Sequence, residues 1–393
     1  MSGSQREPRA DRDPVDTCGL CLLSLDGGGV RGLSTLIILR YLMAKVNFGY
    51  PQNETRKPCE VFDMIGGTST GGLIAIMLGR LKMSVQECID AYVSMFEEIF
   101  GKPIRSKVSI TLQIQSQYDA EILRRCILRI VRDSSNLSEG DRRAIVEAAG
   151  MTGSAKTKST AINAATSKIL LDDSVPRGCR TFVCATAFEN QDIERFRDYP
   201  RLDLGIQANV SIVDAACATS AATSFFDAVN INGRLFRDGG FKANNPVNEV
   251  WHEARQIWVG DNQDVQLDLL LKCIISIGTG ETKTESMKEG VKGFIDTLKR
   301  MITQTRDTDK AFRNEHRNLT KLDGTQRYFR FNVDQGLQAV SLEQYEKKGT
   351  IEAVTKTYME SPERESLLAL CANNLRMKTS VSLSQEITEL DFS

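Results

Sequence analysis

Asp63-Met64-Ile65-Gly66-Gly67-Thr68-Ser69-Thr70-Gly71-Gly72-Leu73-Ile74-Ala75-Ile76-Met77-Leu78 is the stretch on which the reading of this 393-residue chain turns. Val61 to Ile65 is a short, mostly apolar run suited to a buried strand, and Leu73 to Leu78 is too long and too rich in helix formers to be another turn. Between them, Gly67-x-Ser69-x-Gly71 matches a nucleophile elbow, a strained strand-to-helix turn that lifts a Ser hydroxyl clear of the backbone. Acyl transfer is the chemistry such a serine performs. A Gly- and Ser-rich turn without chemistry satisfies the same five positions, so other segments must decide.

Upstream, Leu20 to Leu25 reads as a buried, parallel-type strand, and Asp26-Gly27-Gly28-Gly29-Val30-Arg31-Gly32 leads from it into a helix over Leu33 to Val46. Gly27-x-Gly29-x-x-Gly32 satisfies the dinucleotide fingerprint, so a nucleotide-binding protein is a rival reading. That fingerprint expects an acidic residue at the end of the next strand, about 20 residues on, to hold a ribose. Here the next strand ends in Ile65-Gly66-Gly67, with the Ser69 elbow in that place, and no G-x-x-x-x-G-K-[ST] loop occurs in the sequence. Successive glycines at a helix N-terminus have a second use: two exposed N–H donors aimed at a developing alkoxide form an oxyanion hole. Read with Ser69, the glycine loop becomes that hole, and Arg31 either lends it positive charge or caps its packing.

Composition narrows the class. With 41% hydrophobic residues the chain can bury a sizeable core, and Lys+Arg 50 against Asp+Glu 51 leaves a formal charge of -1. No global field draws it to nucleic acid, and no nucleic-acid partner is expected. Ten Cys are scattered, several in apolar runs such as Phe182-Val183-Cys184-Ala185, as small hydrophobes in a reduced, cytosolic protein. Cys18-x-x-Cys21 has the spacing of a redox or zinc pair, yet it runs into a strand with no second Cys/His pair at zinc-ribbon spacing, so no metal is expected. The first seventeen residues hold no apolar run, which excludes an ordinary secretory signal; residues 1–17 are expected to be a disordered polar leader. The longest apolar candidate, Leu267 to Ile277, contains Asp268 and Lys272 and is too short to span a bilayer, so the protein is expected to be soluble or to sit only at a membrane surface.

Further along, Val85 to Phe100 and Tyr118 to Val131 carry the apolar stripe of core-facing helices. Ser134 to Asp173 changes character, and Gly150 to Thr160 is expected to be a flexible excursion, either a mobile insertion or a lid. Arg180 to Ala187 reads as a buried strand, Ile193 to Arg197 as an edge strand, Val213 to Phe226 as a small-residue helix and turn, and Arg234 to Arg237 as a strand into Asp238-Gly239-Gly240. Val247 to Ile257 is expected to be helical, Leu267 to Ile277 a core strand ending in Gly278-Thr279-Gly280, Tyr328 to Asn332 a late strand and Ser341 to Leu370 a helical closure. Val291 to Ile302 is amphipathic with Lys288, Lys292, Lys299 and Arg300 nearby, a face for the core or for a bilayer.

An activated serine needs a base. The chain has two histidines: His252 reads as mid-helix, and His316 sits among Asn314, Glu315 and Arg317 in a charged, exposed helix. Neither follows a strand end as a triad histidine would. Asp238 is the better candidate, at a strand end before a glycine pair that leaves room around it, although Asp-Gly-Gly alone also makes a turn.

Taken together, Asp26-Gly-Gly-Gly-Val-Arg-Gly32, Gly67-Thr-Ser-Thr-Gly71 and Asp238-Gly-Gly240, in this order and spacing, resemble the patatin-like phospholipase family. Ala218-Thr-Ser-Ala-Ala-Thr-Ser-Phe-Phe226 and Asn244-Asn245-Pro246 are similar to its pattern as well. The resemblance runs from about Leu20 to Ile257 and more weakly to Tyr358. It implies an α/β fold of three layers, α/β/α, around a mostly parallel central sheet. It implies a dyad of Ser69 as nucleophile and Asp238 as base, with Gly27, Gly28 and Gly29 as the oxyanion hole and Arg31, Gly67, Gly71 and Gly239 in support. It implies hydrolysis of phospholipid acyl esters at a membrane surface, without metal or other cofactor. The expected domain spans 18–360, with a helical closure and tail over 361–393. Three rivals stand beside it: a signalling or defence effector module silent until a ligand or oligomerisation activates it, a nucleotide-binding protein, and an esterase for small esters. A homo-oligomer, or fusion to regulatory domains, fits the effector reading.

Overall fold

A computed structural model describes residues 18–101, 120–150, 152, 154–201, 209–222, 225–260, 266–281, 292–321 and 325–378. Among the described residues eight strands form one sheet: β1 (Leu20–Leu25), β2 (Met64–Thr68), β3 (Arg180–Ala187), β4 (Ile193–Arg197), β5 (Val229–Ile231), β6 (Arg234–Asp238), β7 (Leu271–Ile277) and β8 (Tyr328–Phe331). Their order is β5-β6-β3-β2-β1-β7-β8, with β4 also on β3. The β3-β2-β1-β7-β8 run is parallel, and β4, β5 and β6 are antiparallel.

Parallel strands need crossover connections, and these supply the two helical layers. The α-helices, in order, are α1 (Gly32–Val46), α2 (Thr70–Ala75), α3 (Val85–Phe100), α4 (Ala120–Arg132), α5 (Glu139–Gly150), α6 (Ala155–Thr166), α7 (Ile212–Thr219), α8 (Gly240–Ala243), α9 (Val247–Ala254), α10 (Leu267–Leu270), α11 (Lys292–Glu315), α12 (Lys348–Met359) and α13 (Pro362–Arg376). The period-2 alternation of β1 divides the core. Cys21, Leu23 and Leu25 join one cluster with α1, α2, α3, α4, α7, α12 and α13, while Leu20 and Leu22 join a second with Val247, Val250, Trp251 and Phe312. The fold is therefore the expected α/β/α sandwich.

Several boundaries differ from the sequence reading. The strand expected over Val61 to Ile65 runs Met64–Thr68, carrying Gly66 and Gly67 inside the sheet because Phe182 and the Gly71 backbone leave no room for side chains there. Leu267 to Leu270 form a helical turn, and the strand begins at Leu271. The segment expected to be a flexible excursion is largely helical, with α5 ending at Gly150 and α6 starting at Ala155; Ser154 caps α6 by accepting from the Thr157 N–H at 3.2 Å. Apolar periodicity signals a helix only where one face is buried, and Thr166 is the one buried residue of α6. His316 is not exposed; it is buried against Trp251 and Phe312, ring centroids 4.1 and 4.4 Å away, and burial lowers its pKa. Residues 1–17 and the side chains of Val291 to Ile302 lie outside what is described. Nine of the ten cysteines are buried, and Cys18 is exposed.

Candidate active site

Strand ends meet above β1, where the chain leaves the sheet toward β2 and β3 on one side and β7 and β8 on the other. Open α/β sheets place their crevice at such a point, outside the strand carboxyl ends. Leu25 lies level with Gly67 on one side and Ile277 on the other, so the glycine loop, Ser69 and Thr279 leave the sheet side by side.

Ser69 has φ 55 and ψ -128, a conformation a side chain adopts only under strain of about 1–3 kcal/mol. The flanking glycines permit it. A Cβ on Gly71 would lie 2.3 Å from the Leu25 carbonyl oxygen, and one on Gly67 2.2 Å from that of Gly71. The Ser69 N–H donates to Thr219 Oγ1 at 3.0 Å, and Thr219 donates to the Cys184 carbonyl at 2.6 Å, which anchors the elbow to α7 and β3. Ser69 precedes α2 yet its side chain caps nothing there. Instead Ser69 Oγ donates to Asp238 Oδ2 at 2.6 Å.

Asp238 ends β6, where Ala185 on β3 is its register partner. Because β3 continues past the end of β2, the antiparallel β6 can bring Asp238 back to the tip of β2. Asp238 Oδ1 accepts from the Gly240 N–H at 2.6 Å, a two-residue turn that Gly239 permits: its Cβ would lie 2.3 Å from the Cys184 carbonyl. Burial pushes the Asp238 carboxyl up to about 6, against the opposing pull of the Ser69 and Gly240 hydrogen bonds. A carboxylate with that affinity for protons, bonded to a strained serine, can take the hydroxyl proton near neutral pH.

The loop amides are not equivalent. The Gly27 N–H donates to the Asn244 carbonyl at 3.0 Å and is committed to the fold. The Gly28 N–H donates to Thr70 Oγ1 at 3.1 Å, beside Ser69. Gly29, partly exposed with φ 55, keeps an N–H without a partner among the described residues, while its carbonyl accepts from Tyr92 at 2.5 Å. The loop base is held by Asp26, whose carboxylate takes both arms of Arg330 at 3.0 and 2.6 Å in a buried pair. Arg31 is buried under the loop; burial lowers its pKa to about 10 and Glu343 pulls it back up.

Ser69, Asp238 and the Gly28 amide thus converge, with Gly67, Gly71 and Gly239 making room. The two histidines lie elsewhere: His252 is exposed on α9 and His316 is packed on Trp251. Side chains have no room on the glycine loop: Cβ directions at Gly27, Gly28 and Gly29 point into Asn244 and Ser69, Thr279, and Leu342. Among the described residues no group of three or more His, Cys, Asp or Glu could hold a metal. Sequence reasoning missed Thr219, Thr279, Asn244, Tyr92 and Arg330 as parts of this site. Thr279 and Asn244 did stand in loops directly after a strand end and after the Asp238 turn, which was the available signal.

The model of the family described as patatin-like phospholipase matches residues 23–251, more than half the chain. Calcium-independent phospholipase A2-gamma of Mus musculus is 28% identical over 81% of this chain and 36% of its own length. Phospholipase A I of Arabidopsis thaliana is 25% identical over 80% of this chain and 24% of its own. The cGAMP-activated phospholipase of Escherichia coli (strain TW11681) is 27% identical over 69% and 65%. The chain therefore spans about a third of the length of the mouse relative.

Proposed function

The chain belongs to the patatin-like phospholipase family, and from that premise we propose that it hydrolyses fatty-acyl esters of glycerophospholipids with Ser69 as nucleophile and Asp238 as base. The observation that carries the reading is the 2.6 Å hydrogen bond from Ser69 Oγ to the buried Asp238 carboxylate, with no histidine between them. Asp238 takes the Ser69 proton as Oγ attacks the acyl carbonyl carbon. The oxyanion takes the Gly29 N–H, and that of Gly28 in exchange for Thr70. Collapse expels the lysophospholipid alkoxide, which receives the proton from Asp238 and leaves an acyl-Ser69 ester. Water then gives a proton to Asp238 and its oxygen to the acyl carbon, and the fatty acid departs as Ser69 recovers the proton. The Gly27 amide, committed to Asn244, is left out of this hole.

The substrate of this reading is a bilayer lipid, met at the membrane surface; among the described residues no helix is long and apolar enough to cross a membrane. Vesicles of mixed phospholipid and neutral lipid, incubated with wild type or Ser69→Ala and read by lipid mass spectrometry, test the proposal. Fatty acid and lysophospholipid from wild type alone are expected; release by both proteins would remove Ser69 from the reaction.

The name of the bacterial relative supports a second reading, in which turnover waits on an activating ligand or on self-association. Adding cGAMP to the same vesicles tests it: a rise from silence to turnover supports gating, and full turnover without additive excludes it.

A further inference from the structure

Resting on the acyl-hydrolase reading above, we propose that Thr279 and Asn244 are positioning residues that aim the Gly28 N–H at the oxygen of the reacting acyl group. A peptide unit is planar, so fixing its carbonyl end fixes the direction of its N–H. The carbonyl of the Gly27–Gly28 peptide accepts two side-chain hydrogen bonds, from Thr279 Oγ1 at 3.1 Å and Asn244 Nδ2 at 3.3 Å. Its N–H reaches Thr70 Oγ1 at 3.1 Å, the neighbour of Ser69. Donors on the carbonyl also polarise the amide and strengthen what its N–H gives.

The clamp is buried and close. Thr279 is 5% and Asn244 7% exposed. A Cβ on Gly28 would stand 2.0 Å from Thr279 Oγ1, and one on Gly27 2.5 Å from Asn244 Oδ1. Among the described residues Asn244 Oδ1 is buried without a hydrogen-bond partner, a cost borne while its Nδ2 faces the Gly27 carbonyl and, at 2.8 Å, Thr305 Oγ1. The two side chains arrive from different elements. Thr279 stands just past β7, and Asn244 just past α8, which begins two residues after Asp238. The base and the donor peptide are therefore set by one short segment. Thr70 Oγ1 holds the Gly28 N–H in the resting site, and the incoming oxyanion displaces it.

The test uses the full chain acting on a thioester phospholipid analogue in mixed micelles, with a trifluoromethyl ketone lipid that adds Ser69 Oγ to its carbonyl and leaves an oxyanion. Thr279→Val keeps the shape and removes the donor. It is expected to lower kcat roughly tenfold to a hundredfold with KM nearly unchanged, and to weaken ketone inhibition by the same factor, with Thr279→Ser restoring both. Asn244→Ala is expected to act in the same direction and carries the test should Thr279→Val fail to fold. Folded variants with full kcat and unchanged ketone inhibition would overturn the inference, as would losses confined to KM. Wild type showing neither turnover nor ketone binding, with or without cGAMP, would overturn the hydrolase reading and this one together, whereas an active wild type with indifferent variants sinks this one alone.

Discussion

At Asp238 function and stability pull apart. Burial raises its carboxyl from the ordinary 3.8 to about 6, so the folded protein holds this proton more tightly than the unfolded chain does. The protonated form's contribution to stability is present in full below pH 3.8, declines as pH rises, and is gone above about 6, a swing of roughly 3 kcal/mol. The proposed role as base needs the opposite form, and kcat/KM is expected to rise with pH through about 6 and then level. Asp238→Asn is expected to abolish turnover as thoroughly as Ser69→Ala, yet to melt higher than wild type at pH 8 and no higher at pH 4. Thermal melts of the pair at both pH values check this, and the difference between the two proteins cancels Asp198, which burial also pushes up to about 6. An Asp238→Asn variant that kept substantial activity would remove the base from the mechanism.

Among the elements, those buried on a regular period were legible in the sequence. Leu20–Leu25, Arg180–Ala187, Ile193–Arg197 and Val85–Phe100 fall where apolar runs and stripes set them. What was not legible lies in long-range pairing. Nothing local to Glu253 announces that, fully buried on α9, it accepts from Arg197 at 2.7 Å through both oxygens, from Tyr199 at 2.7 Å and from Arg195 and Arg201 at 3.2 Å. In sequence β4 reads as an alternating edge strand; in space its arginines fasten it to α9. Removing the acceptor leaves buried cations uncompensated, so Glu253→Ala is expected to cost roughly 3–5 kcal/mol of stability by chemical denaturation. In the site, Ser69 and Asp238 could be found because glycines mark them. Thr279 and Asn244 stood in loops beside those signals, but their clamp on one peptide was not legible, because a hydrogen bond to a carbonyl leaves no pattern of its own in the chain.

Over the whole molecule, late segments complete early ones. Arg330 on β8 closes on Asp26, and Lys378, just beyond α13, reaches Asp63 at 3.0 Å in a pair with both side chains fully buried. Asp63 in turn accepts from the Cys21 N–H at 2.6 Å, so this carboxylate ties β1 to the approach of β2. Lys378→Met is expected to destabilise by roughly 3–5 kcal/mol and to be largely rescued by Asp63→Asn in the same chain; additive losses in the double variant would show that the pair does not couple. The two closures span 304 and 315 residues of sequence. At the ribosome, where roughly 5–20 residues are added each second, Asp63 therefore waits between about a quarter of a minute and a minute for its lysine. A nascent chain already carries Ser69 and its elbow during that interval, but without the partners that fix the strands beneath them. Whatever chemistry Ser69 performs would thus wait until the chain has grown past Lys378.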